Sequence, residues 1–418
     1  MTDLNVQNIP ITNVKVYKNN PKLHSRVQVG KIAKSIQEFG FVNPVLVDEN
    51  YEIIAGHGRL AAAQSLGMAE IPVIMLSHLT PAQKRAYRIA DNKLTELGKW
   101  SIELLEVEFK ELSLDASLDL DLTGFETCEI DSFITGDTTP SDPKLDTVPE
   151  LTEADHICKP GDIWRLGRHF MVCGDALKAE TYDKLMGDVK AQMILTDPPF
   201  NVKVSSIGSM GKIKHDEFAM ASGEMSASEF TEFLIGFMQH LRTHSVDGSL
   251  HYMFMDWRHV WELSTAGAAV YNGLKNICVW NKHNGGMGSL YRSKHELCFI
   301  YKSGKAPHQN NIELGAHGRY RTNVWDYAGA NSFGEGKENL KLHPTVKPVA
   351  MLKDAILDVT KRGDAVLDCF LGSGSTLIAC EQVGRTCYGI ELEPKYCDIT
   401  IKRFEQLTGE KAIKIGEL

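Results

Sequence analysis

The residues best suited to chemistry lie in the stretch LTDPPFNV, residues 195–202. The apolar run MIL that leads into it predicts a buried strand, although two consecutive prolines cannot donate hydrogen bonds to a sheet. We therefore expect the strand to end in two fixed hydrogen-bond acceptors, a carboxylate and a proline carbonyl, with an aromatic ring beside them. Rigid acceptors of this kind can orient a donor such as an amino group. The motif residues are Asp197, Pro198, Pro199 and Phe200.

A second stretch, residues 364–391 (DAVLDCFLGSGSTLIACEQVGRTCYGIE), has the pattern strand, glycine turn, helix, strand, acid. This pattern binds a nucleoside at the carboxyl edge of a parallel sheet, where the final acid can accept hydrogen bonds from ribose hydroxyls. The loop lacks the G-x-G-x-x-G spacing of dinucleotide enzymes, and a purely structural glycine turn is the alternative. The predicted cofactor contacts here are Asp368, Phe370, Gly372, Ser373, Gly374, Thr376 and Glu391.

The composition predicts a globular protein of two domains. The chain has 418 residues, of which 43% are hydrophobic and 24% charged. It contains no apolar run of about 18 residues, and its polar beginning, MTDLNVQNIP, does not resemble a signal peptide. Nine scattered cysteines without a CxxC pair predict reduced thiols and no metal site. These features predict a cytoplasmic protein.

Acidic residues are concentrated in one part of the chain. The net charge is −9, but residues 101–155 hold sixteen Asp and Glu against two Lys, so the remainder is mildly basic. The block begins as an amphipathic helix, SIELLEVEFKEL, and ends in a proline- and acid-rich stretch that predicts a solvated spacer. We therefore expect domains at residues 1–130 and 156–418, joined by an acidic linker at 131–155.

The N-terminal part reads as a small α/β domain. VKVY (residues 14–17) predicts a strand, the spacing of apolar residues from 29 to 36 predicts a helix that Gly40 closes, and PVLVDENYEIIAG predicts a hairpin. A helix then follows GHGR, and IPVIML predicts a closing strand. The basic helix TPAQKRAYRIADNKLTEL, with Lys84 and Arg88, is interpreted as a solvated face rather than a DNA contact.

Residues 8–78, centred on ENYEIIAGHGRLAAA, resemble the ParB N-terminal nucleotide-binding domain, which is related to sulfiredoxin. The GHGR box matches the looser G-x-x-R form of that family. Backbone N–H groups at a helix start, with an arginine nearby, favour an anion, and the resemblance implies that Gly56, Gly58 and Arg59 bind a phosphate, as of DNA or of a nucleotide such as CTP. Sulfiredoxin chemistry is excluded because the first cysteine is Cys128. A structural or tethering role is the alternative.

FLGSGST, residues 370–376, resembles the S-adenosylmethionine loop of amino-methyltransferases. With DPPF in the same chain, residues 156–418 resemble a DNA amino-methyltransferase. DPPF precedes the glycine loop, which is the permuted motif order of the β group of these enzymes. The resemblance implies an α/β fold, with a Rossmann-like S-adenosylmethionine-dependent methyltransferase domain of permuted motif order preceded by the smaller α/β ParB-like domain.

The resemblance also gives DPPF a role. The exocyclic amino group of a base is a poor nucleophile because its lone pair is delocalised into the ring. Asp197 and the Pro198 carbonyl are expected to accept its hydrogens and to aim the lone pair at the sulfonium methyl, while Phe200 stacks on a base flipped out of the duplex. Asp as the first residue of the DPPF motif is usual among the adenine-specific members of this family. We therefore expect N6-adenine methylation, with N4-cytosine as the alternative.

Three further cofactor contacts follow from motifs of the same family. CGDAL resembles its Gly-Asp motif, which implies that Asp175 contacts the adenosine. HPTVKPVAMLKDAI resembles the motif that completes the methionine pocket, which implies roles for Thr345 and Lys347. Lys347 is the expected charge partner of the methionine carboxylate, and a helix cap is the alternative for Thr345.

Sequence recognition is expected in two irregular stretches, residues 203–228 and 305–342. For the arginines in and near these stretches, the alternative to a DNA contact is a solvated loop or a role in bracing the fold. Guanidinium groups suit phosphates and guanine edges. The candidate DNA contacts are Arg292, Arg319 and Arg321.

Three functions remain open. The first is an active DNA adenine methyltransferase of the restriction-modification type, with double-stranded DNA as partner, no membrane association, a nucleoid-associated cytoplasmic location and a homodimer as a candidate assembly. The second is a ParB-like DNA-binding regulatory protein whose methyltransferase half is an inactive scaffold. The third, a methyltransferase for protein or RNA, is disfavoured because those enzymes usually place the cofactor loop first.

Overall fold

The computed structural model describes residues 4–115, 117–136, 143–202, 221, 223–282, 285, 290–315, 319–329 and 346–418. The chain divides into two compact units, Met1–Ile134 and Thr135–Leu418. Among the described helices, none combines the length and the apolar character that a membrane span requires.

The first unit is a four-stranded sheet with helices. Its elements are strand β1 (Val6–Pro10), helix α1 (Arg26–Phe39), strands β2 (Val45–Val47) and β3 (Ile53–Ala55), helix α2 (His57–Ser65), strand β4 (Glu70–Met75) and helices α3 (Pro81–Thr95), α4 (Ile102–Leu112) and α5 (Thr127–Thr135). The strand order is β1-β4-β2-β3, with β2 and β4 parallel and the other pairs antiparallel. The helix closed by Gly40, the hairpin, the IPVIML strand and the acidic amphipathic helix are confirmed as α1, β2–β3, β4 and α4.

The prediction of a strand at VKVY is wrong. The first strand lies earlier, at β1, and VKVY contributes only an isolated bridge between Lys15 and Glu52. β1 is mostly exposed, so its residues do not show the apolar pattern on which the prediction depended.

The interpretation of α3 as a solvated basic face is also wrong for two of its residues. Lys84 Nζ contacts Asp48 Oδ2 at 3.3 Å and Glu49 Oε2 at 2.6 Å, and Arg88 contacts Glu52 Oε1 at 3.1 Å. Both basic side chains are buried. The helix is therefore fastened to the β2–β3 hairpin by ion pairs that the local sequence could not reveal.

The second unit is built on a ten-stranded sheet. Its elements are strands β5 (Asp162–Leu166) and β6 (His169–Cys173), helix α6 (Ala179–Met186), strand β7 (Ala191–Thr196), helix α7 (Ala227–Thr243), strand β8 (Ser245–Met255), helix α8 (Val260–Val270), strands β9 (Gly273–Asn281), β10 (His295–Lys302) and β11 (Val324–Asp326), helix α9 (Val349–Val359), strand β12 (Ala365–Asp368), helix α10 (Ser375–Val383), strand β13 (Thr386–Glu391), helix α11 (Pro394–Thr408) and strand β14 (Ile413–Glu417).

The central strands of this sheet are parallel and buried on both faces. The order is β11-β9-β10-β8-β7-β12-β13-β6-β5-β14, and the five strands from β8 to β6 run parallel. Along β7, Met193 and Leu195 pack into one apolar cluster while Ile194 packs into the other. Apolar residues on both sides of a strand are typical of a parallel sheet covered by helices. The Rossmann-like α/β fold with permuted motif order is confirmed.

Part of the stretch expected to be a spacer is packed instead. The Val349 N–H donates to Asp146 Oδ1 at 2.7 Å, Lys402 Nζ contacts Asp155 Oδ2 at 2.8 Å, and Val148 is buried. Residues 143–155 thus belong to the second unit, where residues distant in the sequence contact them.

Candidate active site

The carboxyl ends of four neighbouring parallel strands meet at one edge of the large sheet. β7 ends directly before Asp197, β12 ends at Asp368, β13 ends at Glu391, and β6 ends two residues before Asp175. Because β10 runs antiparallel to β8, its first residues reach the same edge and bring Glu296 there. The topology therefore gathers acids from five strands.

A cavity of about 280 Å³ opens at this edge. The DPPF motif and the glycine loop both line it, although they lie far apart in the sequence. The lining residues that the sequence analysis singled out are Asp175, Asp197, Pro198, Pro199, Phe200, Lys347, Asp368, Phe370, Gly372, Ser373, Thr376 and Glu391.

Asp368 holds the two motifs together. Its Oδ1 accepts hydrogen bonds from Thr196 Oγ1 at 2.8 Å and from the Phe370 N–H at 3.1 Å, and its Oδ2 accepts one from Thr376 Oγ1 at 2.6 Å. Burial raises the pKa of Asp368, and these donors oppose that rise. The carboxylate thus joins the end of β7, the glycine loop and the start of α10.

Glu391 is positioned by backbone groups. Its Oε2 accepts a hydrogen bond from the Gly372 N–H at 2.7 Å, and its Oε1 accepts one from the Glu393 N–H at 2.8 Å. Burial raises the pKa of Glu391 to about 7. Each carboxylate oxygen can accept more than one hydrogen bond, so the ionised group can also accept hydrogen bonds from ligand hydroxyls in the cavity.

Gly374 ends the loop and begins α10. Its φ is +85°, a conformation that other L-residues rarely adopt, and a Cβ atom there would lie 2.7 Å from Thr400 Oγ1. Gly374 therefore shapes the loop without lining the cavity itself. A glycine loop at a helix start and a carboxylate with spare lone pairs fit S-adenosylmethionine, the cofactor that the resemblance implies.

The two oxygens of Asp197 have different surroundings. Lys347 Nζ donates to Oδ2 at 2.5 Å, whereas Oδ1 is buried and finds no hydrogen-bond partner among the described residues. Burial raises the pKa of Asp197 to about 6, and the Lys347 ammonium limits the rise. One oxygen is fixed in place, and the other is an acceptor without a donor.

Glu296 and Lys282 extend this ion pair into a chain whose central members, Lys347 and Glu296, are buried. Glu296 Oε1 lies 2.7 Å from Lys347 Nζ, and its Oε2 lies 2.6 Å from Lys282 Nζ. Burial favours the neutral acid, but the two ammonium groups hold the pKa of Glu296 below its ordinary value. With Asp197, the chain contains two acids and two lysines, so its charges balance.

Aromatic rings surround the Lys347 ammonium. Its Nζ lies 5.0 Å from the ring centre of Phe254, 5.6 Å from that of Phe200 and 5.9 Å from that of Trp280. Burial lowers the pKa of Lys347, but the Asp197 and Glu296 carboxylates raise it well above its ordinary value. Ring faces attract cations, so Lys347 remains charged in a place from which water is largely excluded.

These contacts change the expected role of Lys347. The ammonium that was expected to pair with the methionine carboxylate pairs with Asp197 and Glu296, which makes it a positioning group for Asp197. Thr345 lies outside the described residues. Asp175 lies in the cavity wall, where its Oδ1 accepts a hydrogen bond from the Leu177 N–H at 2.9 Å.

The candidate DNA contacts Arg319 and Arg321 have another role. Their Nε atoms donate to the two oxygens of Asp358 at 2.8 and 3.2 Å, and Arg319 also contacts Asp354 Oδ1 at 3.3 Å. Both acids lie one turn apart on α9. The prediction of free DNA-binding side chains is wrong here, because carboxylates some 35 residues away in sequence pair with these arginines. Arg292 is exposed and stays a candidate; most of residues 203–228 and 330–342 lie outside the described part of the chain.

The candidate phosphate site of the first unit lies where α2 begins. Gly56 is its N-cap with φ +105°, and Gly58 is buried in its first turn. Arg59 Nη1 donates to the carbonyls of Asn43 at 2.7 Å and Pro44 at 2.9 Å. That nitrogen therefore braces the loop before β2, and the phosphate-binding role stays a prediction.

Four residues around Lys347 and its ion pairs were missed by the sequence analysis. They are Phe254, Trp280, Lys282 and Glu296. The available signal was the acid in HELCFIYK, since a charge at a buried position of an apolar strand requires a partner. Nothing local indicates that this partner is Lys347.

Three family models match consecutive parts of the chain. They are the ParB N-terminal domain at residues 2–93, the ParB-methyltransferase HTH domain at 103–160 and the DNA methylase at 191–402. The HTH match includes α4 and α5 and overlaps the stretch that was expected to be only a linker. The methylase match covers just over half of the 418 residues and contains both DPPF and the glycine loop.

Relatives of known name match the two halves separately. The ParB-like nuclease domain-containing protein YnaK of Escherichia coli (strain K12) is 50% identical over 76 residues, which are 18% of this chain and 87% of YnaK. The type II methyltransferase M.HpaI of Haemophilus parainfluenzae is 22% identical over 252 residues, 56% of this chain and 74% of that protein. The DNA adenine methyltransferase YhdJ of Escherichia coli (strain K12) is 36% identical over 110 residues, 24% of this chain and 36% of YhdJ.

Sequence motifs, fold and matches agree on one identity. The second unit is identified as a DNA methylase domain by its strand order, by the two motifs on one cavity and by the family model that spans them. The first unit is identified as a ParB N-terminal domain by the ParB match. The chain belongs to the DNA methylase family and carries a ParB N-terminal domain ahead of its methylase domain.

Proposed function

We propose that this protein is a site-specific DNA methyltransferase that transfers a methyl group from S-adenosyl-L-methionine to N6 of adenine. Asp197 Oδ1 is the observation that carries the proposal. This acceptor is buried, has no donor among the described residues and lines the same cavity as Glu391. An unsatisfied buried acceptor costs free energy, and the amino group of a flipped base would supply the missing donor.

The glycine loop and its neighbours form the cofactor side of the cavity. When bound, S-adenosylmethionine supplies an electrophilic methyl group on its sulfonium. Glu391 accepts hydrogen bonds from ribose hydroxyls, Asp175 contacts the adenosine, and Phe370 contributes an apolar wall. Asp368 keeps this side in register with the DPPF motif through Thr196 and Thr376.

The DPPF motif binds and orients the base. Asp197 Oδ1 and the Pro198 carbonyl accept the two amino hydrogens, and Phe200 stacks on the base. Lys347 holds the carboxylate in its ionised form and in a fixed orientation. Asp197 Oδ1 is also our candidate base for the proton that the nitrogen releases when its bond to the methyl carbon forms.

Adenine is favoured over cytosine by the first residue of the motif. At the position of Asp197, the adenine-specific members of this family usually have Asp, whereas Ser is common in the cytosine-specific members. YhdJ, a relative of this half, is named as a DNA adenine methyltransferase. N4-cytosine is the second candidate, because the same acceptors suit any exocyclic amino group.

Identification of the methylated nucleoside tests the proposal. Duplex DNA is incubated with the protein and methyl-labelled S-adenosylmethionine, then digested to nucleosides that are separated by chromatography and mass spectrometry. We expect the label in N6-methyladenine, and none with Asp197→Ala. Label in N4-methylcytosine would contradict adenine as the target and support the second candidate, N4 of cytosine. Label only in RNA or protein controls would contradict DNA methylation.

We also propose that the first unit increases the local concentration of the enzyme on DNA in the nucleoid. The ParB and HTH matches support a DNA-directed role for residues 2–160, and Gly56, Gly58 and Arg59 are the candidate phosphate contacts. A homodimer belongs to the same proposal.

A further inference from the structure

Three cysteines that are far apart in the sequence converge beside the cofactor side of the cavity. Cys158 precedes β5, Cys173 ends β6 and Cys397 lies in α11. All three are buried, and their Sγ atoms lie within 4.8 Å of one another. Gly174 and Tyr396, the neighbours of two of them in the chain, line the cavity. The cluster therefore lies directly behind the cavity wall.

The spacing of the sulfur atoms suits a metal ion. At a Zn–S distance of about 2.3 Å, thiolates around one ion lie about 4 Å apart. The weak hydrogen bonds from these thiols to backbone carbonyls are long, at 3.6 to 3.9 Å. Three segments thus bring soft ligands to one point without strong competing contacts.

Trp164 gives a second, independent indication. Its side chain is 7% exposed, and its buried indole N–H has no hydrogen-bond partner among the described residues. The Cys158 sulfur lies near this indole without forming a regular hydrogen bond with it. A neutral thiol is a weak acceptor, whereas a metal-bound thiolate is a good one, and metal ligands are commonly supported by outer donors of this kind.

We propose that Cys158, Cys173 and Cys397 form a binding site for a thiophilic ion with a filled d shell, Zn²⁺ or Cu⁺. Within the described residues the cluster contains three sulfur ligands and no fourth His, Asp or Glu. Thiolates select such ions, and a three-sulfur site is more complete for Cu⁺ than for tetrahedral Zn²⁺. Binding converts the three thiols to thiolates and releases their protons to solvent.

The ion would fasten three segments of the cofactor wall to one another. The beginning of β5, the end of β6 and α11 would share one fixed point next to Gly174 and Tyr396. We therefore expect bound metal to raise the thermal unfolding midpoint of the methylase unit. This expectation does not depend on the base that is methylated or on catalysis.

Metal content of the full-length protein tests the site. The protein is purified under reducing conditions, stripped with a chelator and equilibrated separately with Zn²⁺ and with Cu⁺, and retained metal is measured by elemental mass spectrometry. We expect one ion per chain in at least one arm, and the arm that retains it identifies the ion. Titration with Cd²⁺ should give thiolate charge-transfer absorption that saturates at one equivalent.

Matched variants assign the ligands. Cys158→Ser and Cys397→Ser should lose the stoichiometric ion and the Cd²⁺ absorption, whereas Cys380→Ser, an equally buried cysteine outside the cluster, should keep both. Trp164→Phe, which removes the N–H together with one ring of the indole, should weaken the affinity about tenfold, the lower range for outer-shell partners. Circular dichroism checks that each variant is folded.

Two results would overturn the proposal. One is a wild-type protein that retains well below one equivalent in both arms and gives no Cd²⁺ absorption. The other is equal metal retention by wild type, Cys158→Ser and Cys397→Ser. If both serine variants fail to fold, the wild-type stoichiometry decides alone. Failure of methyl transfer would leave all of these readouts unaffected.

Discussion

The proposed role of Asp197 as an acceptor depends on the different surroundings of its two carboxylate oxygens. Lys347 binds Oδ2, and the described residues leave Oδ1 without a donor. Glu296 and Lys282 continue the ion pair, so Lys347 is shared between two acids. Breaking a buried ion pair by removing one partner leaves an uncompensated charge. The same arrangement therefore supplies both a fixed acceptor and a means of tuning its pKa.

Glu296→Gln tests whether Glu296 positions and tunes Asp197. The Glu296 charge contributes to raising the pKa of Asp197 to about 6. Removing that charge should lower this pKa, because Lys347 then pairs with Asp197 alone. The ionised carboxylate is the active form, so the fall of the single-turnover rate with decreasing pH should move to lower pH. The rate is measured at saturating S-adenosylmethionine.

The exposed Glu232 provides the control for this substitution. Glu232→Gln should leave the pH profile of methyl transfer unchanged. A Glu296→Gln profile that is also unchanged, or that moves to higher pH, would contradict the tuning role.

Glu391 should make cofactor binding pH-dependent. Burial raises its pKa to about 7, and only the ionised form offers both oxygens to ribose hydroxyls. The affinity for S-adenosylmethionine should therefore fall as the pH decreases through about 7, as measured by isothermal titration calorimetry. Glu391→Gln should bind about 1–3 kcal/mol more weakly and without this pH dependence. A wild-type affinity that stays constant between pH 8.5 and 6 would remove Glu391 from the ribose site.

At the scale of elements, parallel strands bring the site together. β7, β12, β13 and β6 end at one edge, so motifs distant in the sequence share a cavity. These elements were predictable because each strand, turn and helix has its own local pattern. The role of Lys347, the partners of Arg319 and the packing of Asp146 were not, because each depends on a contact between residues far apart in the chain.

The glycine loop should tolerate no side chain at Gly374. Gly374 and Gly363 both have positive φ, +85° and +80°, but only a Cβ at Gly374 would collide with Thr400. Gly363→Ala should cost about 1 kcal/mol of stability for the backbone conformation alone. Gly374→Ala should cost more and should also weaken cofactor binding. Chemical denaturation and calorimetry measure the two effects, and equal behaviour of the variants would contradict the close packing of the loop on α11.

Arg292 and Arg319 should respond differently to DNA. Arg292→Gln should reduce the dependence of log affinity on log salt concentration by about one unit if it contacts a phosphate. Arg319→Gln should leave that slope unchanged and lower the free energy of unfolding, because it leaves the buried Asp358 with one partner fewer. A reduced salt slope for Arg319→Gln would restore that residue as a DNA contact.

At the scale of the whole molecule, the net charge of −9 is distributed unevenly along the chain. The acidic residues are concentrated between 101 and 155, in and around the HTH match, and the remainder is mildly basic. DNA binding by a chain of negative net charge is therefore expected to depend on local basic surfaces and to weaken with salt. One chain thus carries both a ParB N-terminal domain and a DNA methylase domain.

Methyl transfer by Asp197→Ala, compared with its cofactor binding in the same preparation, tests the central claim most directly. In this variant Lys347 keeps Glu296 as its partner, and the glycine loop and Glu391 keep their contacts. We predict an S-adenosylmethionine dissociation constant close to that of the wild type, with no labelled methyl group entering duplex DNA. Undiminished transfer, or equal loss of binding and transfer, would contradict the assignment of Asp197 as the acceptor of the target amino group.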